Sequence, residues 1–376
     1  SELDDFLKKA IATVRMLAED PCRDLPDPSR TAKNAVTGKE LGLFDETYPA
    51  LTSDERLRMA IDASIFKKHC GDGLISEEGE YSDSIFDSLV LDSNGLRCRH
   101  TETSFEYGVE VTVQDADGNR YSSYWWDATP MLKDLNIKDC GEIAFKRAMS
   151  QIGPVKIESG KYSMVIESEV ASRLVTPVLN ALGGYSLQQK NSFMLDSLGK
   201  KMFPEWLNIW DRPVSVGETG SRLFDSEGVA TAEMPIVENG VVKEYFVNTY
   251  MSRKMGVEAT VEDATRPVVL PCFAPSVAEP VEATCGKEEL MRIVGEGILV
   301  TGFNGGNSNS ATGDFSFGVE GFLFKDGKIV HPVREMLITG NLLTLWNNLL
   351  AAGNDARFCK SKLIPTLAFG NVDFSA

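Results

Sequence analysis

The 376-residue chain carries 38 Lys and Arg against 55 Asp and Glu, a formal net charge of −17, with 43% hydrophobic and 25% charged residues. That balance is ordinary for a globular protein of roughly two domains, and it argues against direct nucleic-acid binding, which needs cations to neutralise phosphates. No apolar run approaches the ~20 residues that would span a bilayer, and the acidic opening Glu2-Leu3-Asp4-Asp5 is unlike the basic start of a signal peptide.

Taken in chain order, Leu3, Phe6, Leu7, Ala10, Ile11, Val14 and Leu17 recur at i, i+3, i+4 spacing, which predicts a helix with one buried face. Pro21 ends it, and the Pro-rich run 20–28 reads as an extended connector. A second helix is expected from Ser53, capped by Thr52 or Ser53. Asp54 and Glu55 suit its positive end, and Leu57, Ala60, Ile61 and Ile65 form its buried stripe. Residues 84–126 predict an antiparallel sheet, because Val109, Val111 and Val113 alternate with polar residues and Asp117-Gly118 supplies a turn. The return strand carries Tyr121, Tyr124, Trp125 and Trp126, either packed on a core or presented as a stacking surface. A helix over 140–152, with Ile143, Ala144, Ala148 and Ile152 inward, closes at Gly153-Pro154, where the domain boundary is placed.

The second half reads as strand-rich. Met164-Val165-Ile166 is a short buried strand, and 168–182 is helical with Pro177 inside the pattern. The helix therefore either starts near Thr176 or is kinked. Asn239-Gly240 and Asp326-Gly327 mark hairpins. A last helix puts Leu342, Leu345, Trp346 and Leu349 on one face, with Asn341 as cap and Gly353 as stop.

Chemistry is sparse. A catalytic zinc takes about three protein ligands, usually two from one helix. The three histidines, His69, His100 and His331, stand far apart with no HExxH. Seven cysteines without a CxxC pair predict reduced thiols and a cytoplasmic protein. Cys359 has Arg357 and Lys360 nearby, cations that lower a thiol pKa. It would need a base such as His331, and an inert thiol is the plainer reading. No GxSxG elbow occurs. Gly302, Gly305 and Gly306, with Asn304, Asn307 and Asn309, lack the P-loop lysine and GxGxxG spacing and are expected to form a mobile loop lining a cleft. The stretch Thr312 to Gly318 is either a tight turn into a core strand or backbone offered to an extended peptide by strand addition. On the second reading the peptide-binding residues are Thr312, Gly313, Asp314 and Ser316.

Several runs in order carry a family resemblance: 190–199 (KNSFMLDSLG), 220–228 (GSRLFDSEG), 248–254 (NTYMSRK), Thr312-Gly313-Asp314, 332–336 (PVREM), Ile338-Thr339-Gly340-Asn341 and Gly353-Asn354-Asp355. Nearly the whole chain resembles the TldD/PmbA (TldD/TldE) peptidase family, on its TldE-like, gyrase-modulator side. In that family the TldD-type subunit carries HExxxH on a helix and binds zinc with a later cysteine. The resemblance puts Val175, Thr176 and Asn180 at the HExxxH positions and Cys359 near the cysteine. Val cannot ligate, Thr is no general base, and Asn is a poor zinc ligand.

The resemblance therefore implies no metal and no catalytic residue in this chain. It implies zinc in a TldD-like metallopeptidase partner, unfolded peptides as substrate, and an enclosed cavity shared by the two subunits. It also implies an N-terminal α/β segment ahead of the opening helix. The expected fold class is α+β: an N-terminal α/β domain over 1–155, incomplete here, then a larger, mostly antiparallel β-rich domain over 156–376 with a few helices. The rival reading is a stand-alone homodimeric peptide-binding or regulatory protein, for which the net charge of −17 favours a protein contact over DNA. A third is an independent hydrolase using Cys359.

Overall fold

The computed structural model describes residues 2–277 and 285–376. Helix α1 (Glu2–Val14) forms where its periodicity places it, yet buries none of its residues: Leu3, Phe6, Leu7, Ile11 and Val14 all stand exposed. The period specifies the helix, but only a facing surface can bury the stripe. The chain then packs across the second half. Thr31 bridges Val229, and Ala32, Ala35, Leu41 and Leu43 join Leu96, Cys98, Leu223 and Phe224 in one cluster.

Helix α2 (Ser53–Asp62) opens on a capping box between Thr52 and Glu55. Its half-buried side is Arg56, Met59 and Ala60, not the expected stripe, for Leu57 and Ile61 are exposed and only Ile65, beyond its end, is buried. After α3 (Phe66–His69), strands β1 (Leu74–Leu91), β2 (Arg97–Gln114) and β3 (Arg120–Thr129) form an antiparallel sheet with β2 central. Gly118, at φ +86°, turns β2 into β3. Helix α4 (Cys140–Ser150) covers one face, packing Cys140, Ala144, Phe145 and Ala148 on Tyr107, Val109, Val111 and Val113.

The second half begins with β4 (Gly160–Ile166), α5 (Ser172–Ala181) and α6 (Gly184–Gln188). A small antiparallel sheet follows, built from β5 (Ile209–Asp211), β6 (Met234–Glu238), β7 (Val241–Val242) and β8 (Pro267–Val269), with α7 (Thr249–Met255) before β8. Then come β9 (Cys272–Phe273), α8 (Lys287–Val294), β10 (Gly297–Ser308), β11 (Asp314–Lys325), β12 (Lys328–Asn341), α9 (Leu342–Asn347), β13 (Leu349–Ala352) and β14 (Leu367–Ser375). The main sheet runs β12-β11-β10-β4-β14-β13-β9, and β12 also pairs with β14, so the sheet closes on itself. Only β4 and β10 pair in parallel among its described strands. Strand alternation gives it two faces. Met164, Ile166, Ile298, Val300, Phe315 and Phe317 share a core with α5 and Trp346, while Val165, Leu299, Phe322 and Phe324 pack with α8 residues. The architecture is α+β, and no helix among the described residues is long and apolar enough to cross a membrane.

Asn239-Gly240 and Asp326-Gly327 hold the positive φ values of tight hairpins. Helix α9 is shorter than its sequence pattern. Asn341 caps it by accepting from the Leu343 N–H, but Leu349 leaves the helix to pair with Phe369, so Gly353 follows a strand and not a helix.

Two ionic clusters tie the halves together around the start of α5. The buried Glu167 carboxylate accepts from both terminal nitrogens of Arg147 (3.0 and 2.8 Å) and from Lys287 (2.7 Å). The Arg357 guanidinium lies 4.4 and 5.1 Å from the ring centroids of Trp125 and Trp126 and pairs with Glu169, which also holds Lys360. The aromatic strand β3 is thus covered by a cation from the other half of the molecule.

Candidate functional site: a groove between a helix and an open strand edge

Beyond those anchors, α5 divides by face. Leu174, Val175, Val178 and Leu179 are buried in the core. Arg173, Thr176, Pro177 and Asn180, spaced i, i+3, i+4 and i+7, line a groove of about 530 Å³. Pro177 lies inside a continuous helix and on this groove side. Lacking an N–H, it leaves the Arg173 carbonyl without its usual i+4 donor.

The opposite wall is Phe303, Asn307, Ser308 and Phe317, from β10 and β11. Strand β4 pairs with β10 only across Ile298–Val300. From Gly302 onward β10 pairs, among the described residues, with β11 alone, so its other edge is open beside α5. The register slips between Phe303 and Gly306, where Gly305 and Gly306 take φ +117° and +92°. A Cβ on Gly306 would lie 2.1 Å from the Ser316 carbonyl oxygen. These glycines make a bulge within a strand, which corrects the expected mobile loop. The segment does line a cleft. Arg173 reaches across it, donating to the Gly306 carbonyl at 2.7 Å with its guanidinium 5.1 Å from the Phe317 ring centroid.

The stretch Thr312 to Ser316 forms a tied turn next to this groove. The Thr312 hydroxyl donates to the Asp314 carboxylate (2.7 Å), and the Asn341 amide donates to the Thr312 carbonyl (2.8 Å) and to Asp314 (3.0 Å). The Asn341 and Thr312 bonds hold the Asp314 carboxyl below the usual range. Gly313 turns the chain at φ +79°. From Asp314 onward β11 is paired on one side with β10 and on the other with β12. Its backbone therefore has no open edge, and the edge available for strand addition belongs to β10. Thr312, Asp314 and Ser316 keep exposed side chains, while Ser316 points to the face opposite Phe317.

The positions matched to the zinc-binding helix separate in space. Val175 is fully buried in the core, and only Thr176 and Asn180 face the groove, beside a guanidinium. Cys359 is not among the groove-lining residues. It is half-buried beside Arg357, Lys360, Asp127 and Glu169, and burial pushes its thiol above the ordinary value despite the two cations. Among the described residues no group of three or more His, Cys, Asp or Glu side chains comes together as a metal would need. The donors present do not fit a zinc ion. Sequence reading had no reason to select Arg173. Its only signal was a charged residue on the same helical face as Thr176 and Asn180.

Comparison with known proteins covers both halves. A family model described as the PmbA/TldA metallopeptidase central domain matches residues 42–152, and one described as its C-terminal domain matches residues 159–376. The Metalloprotease PmbA of Escherichia coli O157:H7 is 28% identical over 371 residues, covering 96% of this chain and 78% of that protein. A crystal structure from Bacteroides thetaiotaomicron, named as a candidate modulator of DNA gyrase, is 39% identical with a TM-score of 0.92, covering 100% of this chain and 83% of that one. TldE from Thermococcus kodakarensis shares the fold at 18% identity and a TM-score of 0.83, over 100% of this chain and 85% of its own.

Proposed function

The chain belongs to the PmbA/TldA metallopeptidase family, and from that premise we propose that it serves as the non-metal-binding subunit of a TldD/TldE-type zinc peptidase complex. In this role it contributes cavity wall and peptide binding, while a TldD-like partner supplies zinc and the general base for cutting unfolded peptides. One observation carries the reading: the helix matched to the zinc-binding one buries Val175 in the core and turns Arg173, Thr176, Pro177 and Asn180 toward the open edge of β10. An open edge holds an extended chain through backbone hydrogen bonds, which tolerates varied sequence.

The exposed apolar residues of α1 favour a second reading, a stand-alone homodimeric peptide-binding or regulatory protein. Elemental analysis of protein purified without chelator, followed by affinity capture with a HExxxH-bearing partner, separates the two. Near-zero zinc per chain and capture of such a partner that gains peptidase activity is the expected result. One zinc per chain retained through dialysis, with hydrolysis by the lone chain, overturns it. Hydrolysis lost in Cys359→Ala would assign a thiol mechanism instead.

A further inference from the structure

Resting on the reading that this subunit holds peptide, we propose that the groove between α5 and β10 is a carboxylate site, with Arg173 as the anchor for an anionic group of the bound chain. Arg173 is the single charged side chain among the groove-lining residues, and among the described residues it has no carboxylate partner. Three arginines that reach inward are neutralised, Arg147 by Glu167, Arg357 by Glu169 and Arg266 by Glu218, whereas half-buried Arg334 is held by the Gln151 amide and the Tyr121 ring. Other grooves of similar size carry acids, with Asp225, Glu262 and Asp263 in one and Asp115, Asp117 and Glu335 in another. In a chain of net charge −17, this groove offers an anion a cation with no acid among its described lining residues, and unlike charges a few ångströms apart near a protein surface attract appreciably.

The guanidinium is also posed. One terminal nitrogen is held by the Gly306 carbonyl and the cation lies by the Phe317 ring, leaving its remaining N–H groups as donors. The fork of a guanidinium matches the two oxygens of a carboxylate. The hydroxyls of Ser172, Thr176 and Ser308 and the amides of Asn180 and Asn307 supply neutral donors around it. Backbone pairing along β10 would then hold the chain without regard to sequence, and Arg173 would set where it stops or where an acidic residue falls.

The carboxylate is either a peptide C-terminus or an Asp or Glu side chain, and the experiment separates them. Fluorescence anisotropy would compare binding of short unstructured peptides to the 376-residue chain. The peptides are a free acid without Asp or Glu, its C-terminal amide, and that amide with one internal Glu. At least one carboxylate-bearing form is expected to bind about tenfold or more tighter than the plain amide, ~1.4 kcal/mol, and that form names the source. Arg173→Gln should erase the preference and Arg173→Lys retain part of it. Asn180→Asp should weaken the acidic forms while sparing the amide. Equal binding of all forms, or an unchanged preference in Arg173→Gln, overturns the carboxylate site and leaves peptide holding intact. No binding of any form overturns both.

Discussion

The chain from Glu167 to Asn180 meets two arginine-containing environments that are built on opposite rules. At its start, Arg147 and Lys287 converge on Glu167, and Arg357 and Lys360 on Glu169, so each cation finds its anion inside the molecule. A few residues later Arg173 faces a groove with a backbone carbonyl and a ring for company and, among the described residues, no acid. Paired charge joins the two halves, whereas Arg173 has no carboxylate partner among the described residues. The Glu167 carbonyl also accepts from the Val170 and Ala171 N–H groups, so the paired cluster lies at the turn from which α5 departs.

The largest effect expected from breaking this contrast is at Glu167. Replacing it with Ala leaves Arg147 and Lys287 partly buried without a partner, and losing one member of a buried pair costs about 3–5 kcal/mol. Urea unfolding would measure it, and a loss below about 1 kcal/mol would mean that the cluster is no lock. Burial alone would raise the Glu167 carboxyl, but Arg147 and Lys287 outweigh it and hold it below its ordinary value. A carboxylate lowered in the folded state gives stability that is present above the unfolded value near ~4.3 and is lost as pH falls through the folded value. Acid titration of wild type against Glu167→Ala should show that component missing in the variant.

Arg357→Ala comes next, at about 2–3 kcal/mol for charged hydrogen bonds and ring contact. It is milder because Lys360 still neutralises Glu169. His69 sharpens the comparison at smaller scale. The Glu142 hydrogen bond raises its pKa against the cost of burial, with Asp72 assisting, and its ring stacks on Phe145 at 4.2 Å. A raised histidine contributes stability that is complete below the unfolded value near ~6.5 and is lost as pH rises through the folded value. His69→Gln should therefore flatten the slope of stability against pH above neutrality, at about 0.2–1 kcal/mol. Smallest is Arg173→Gln, expected within about 0.5 kcal/mol of wild type by thermal melting. A loss as large as that of Arg357→Ala would place Arg173 with the structural cations and end the contrast.

Much of the fold was legible because it rests on local rules. Alternation at Val109, Val111 and Val113, the cap at the start of α2 and the turns at 239–240 and 326–327 are each settled within a few residues of chain. The resemblance to the peptidase family was legible from runs of residues in order, and the family models match both halves. Less legible were features that depend on what stands opposite. The Gly-Asn run at 302–309 has loop composition but meets β11 and becomes a bulged strand. Leu349 continues a helical stripe but finds Phe369 instead.

The sequence by itself determined where α1, α2 and α4 begin, where the turns at 117–118, 239–240 and 326–327 fall, and the absence of a HExxH motif, because periodicity, capping and ligand spacing are properties of neighbouring residues. Tertiary structure alone decided that α1 shows its apolar stripe to solvent and that β11 is paired on both edges; it also decided that, among the described residues, β10 keeps one edge open and Arg173 lacks an acid where Arg147 and Arg357 each have one. Burial, strand edges and charge pairing each require a second surface, and the residues supplying it are distant in sequence.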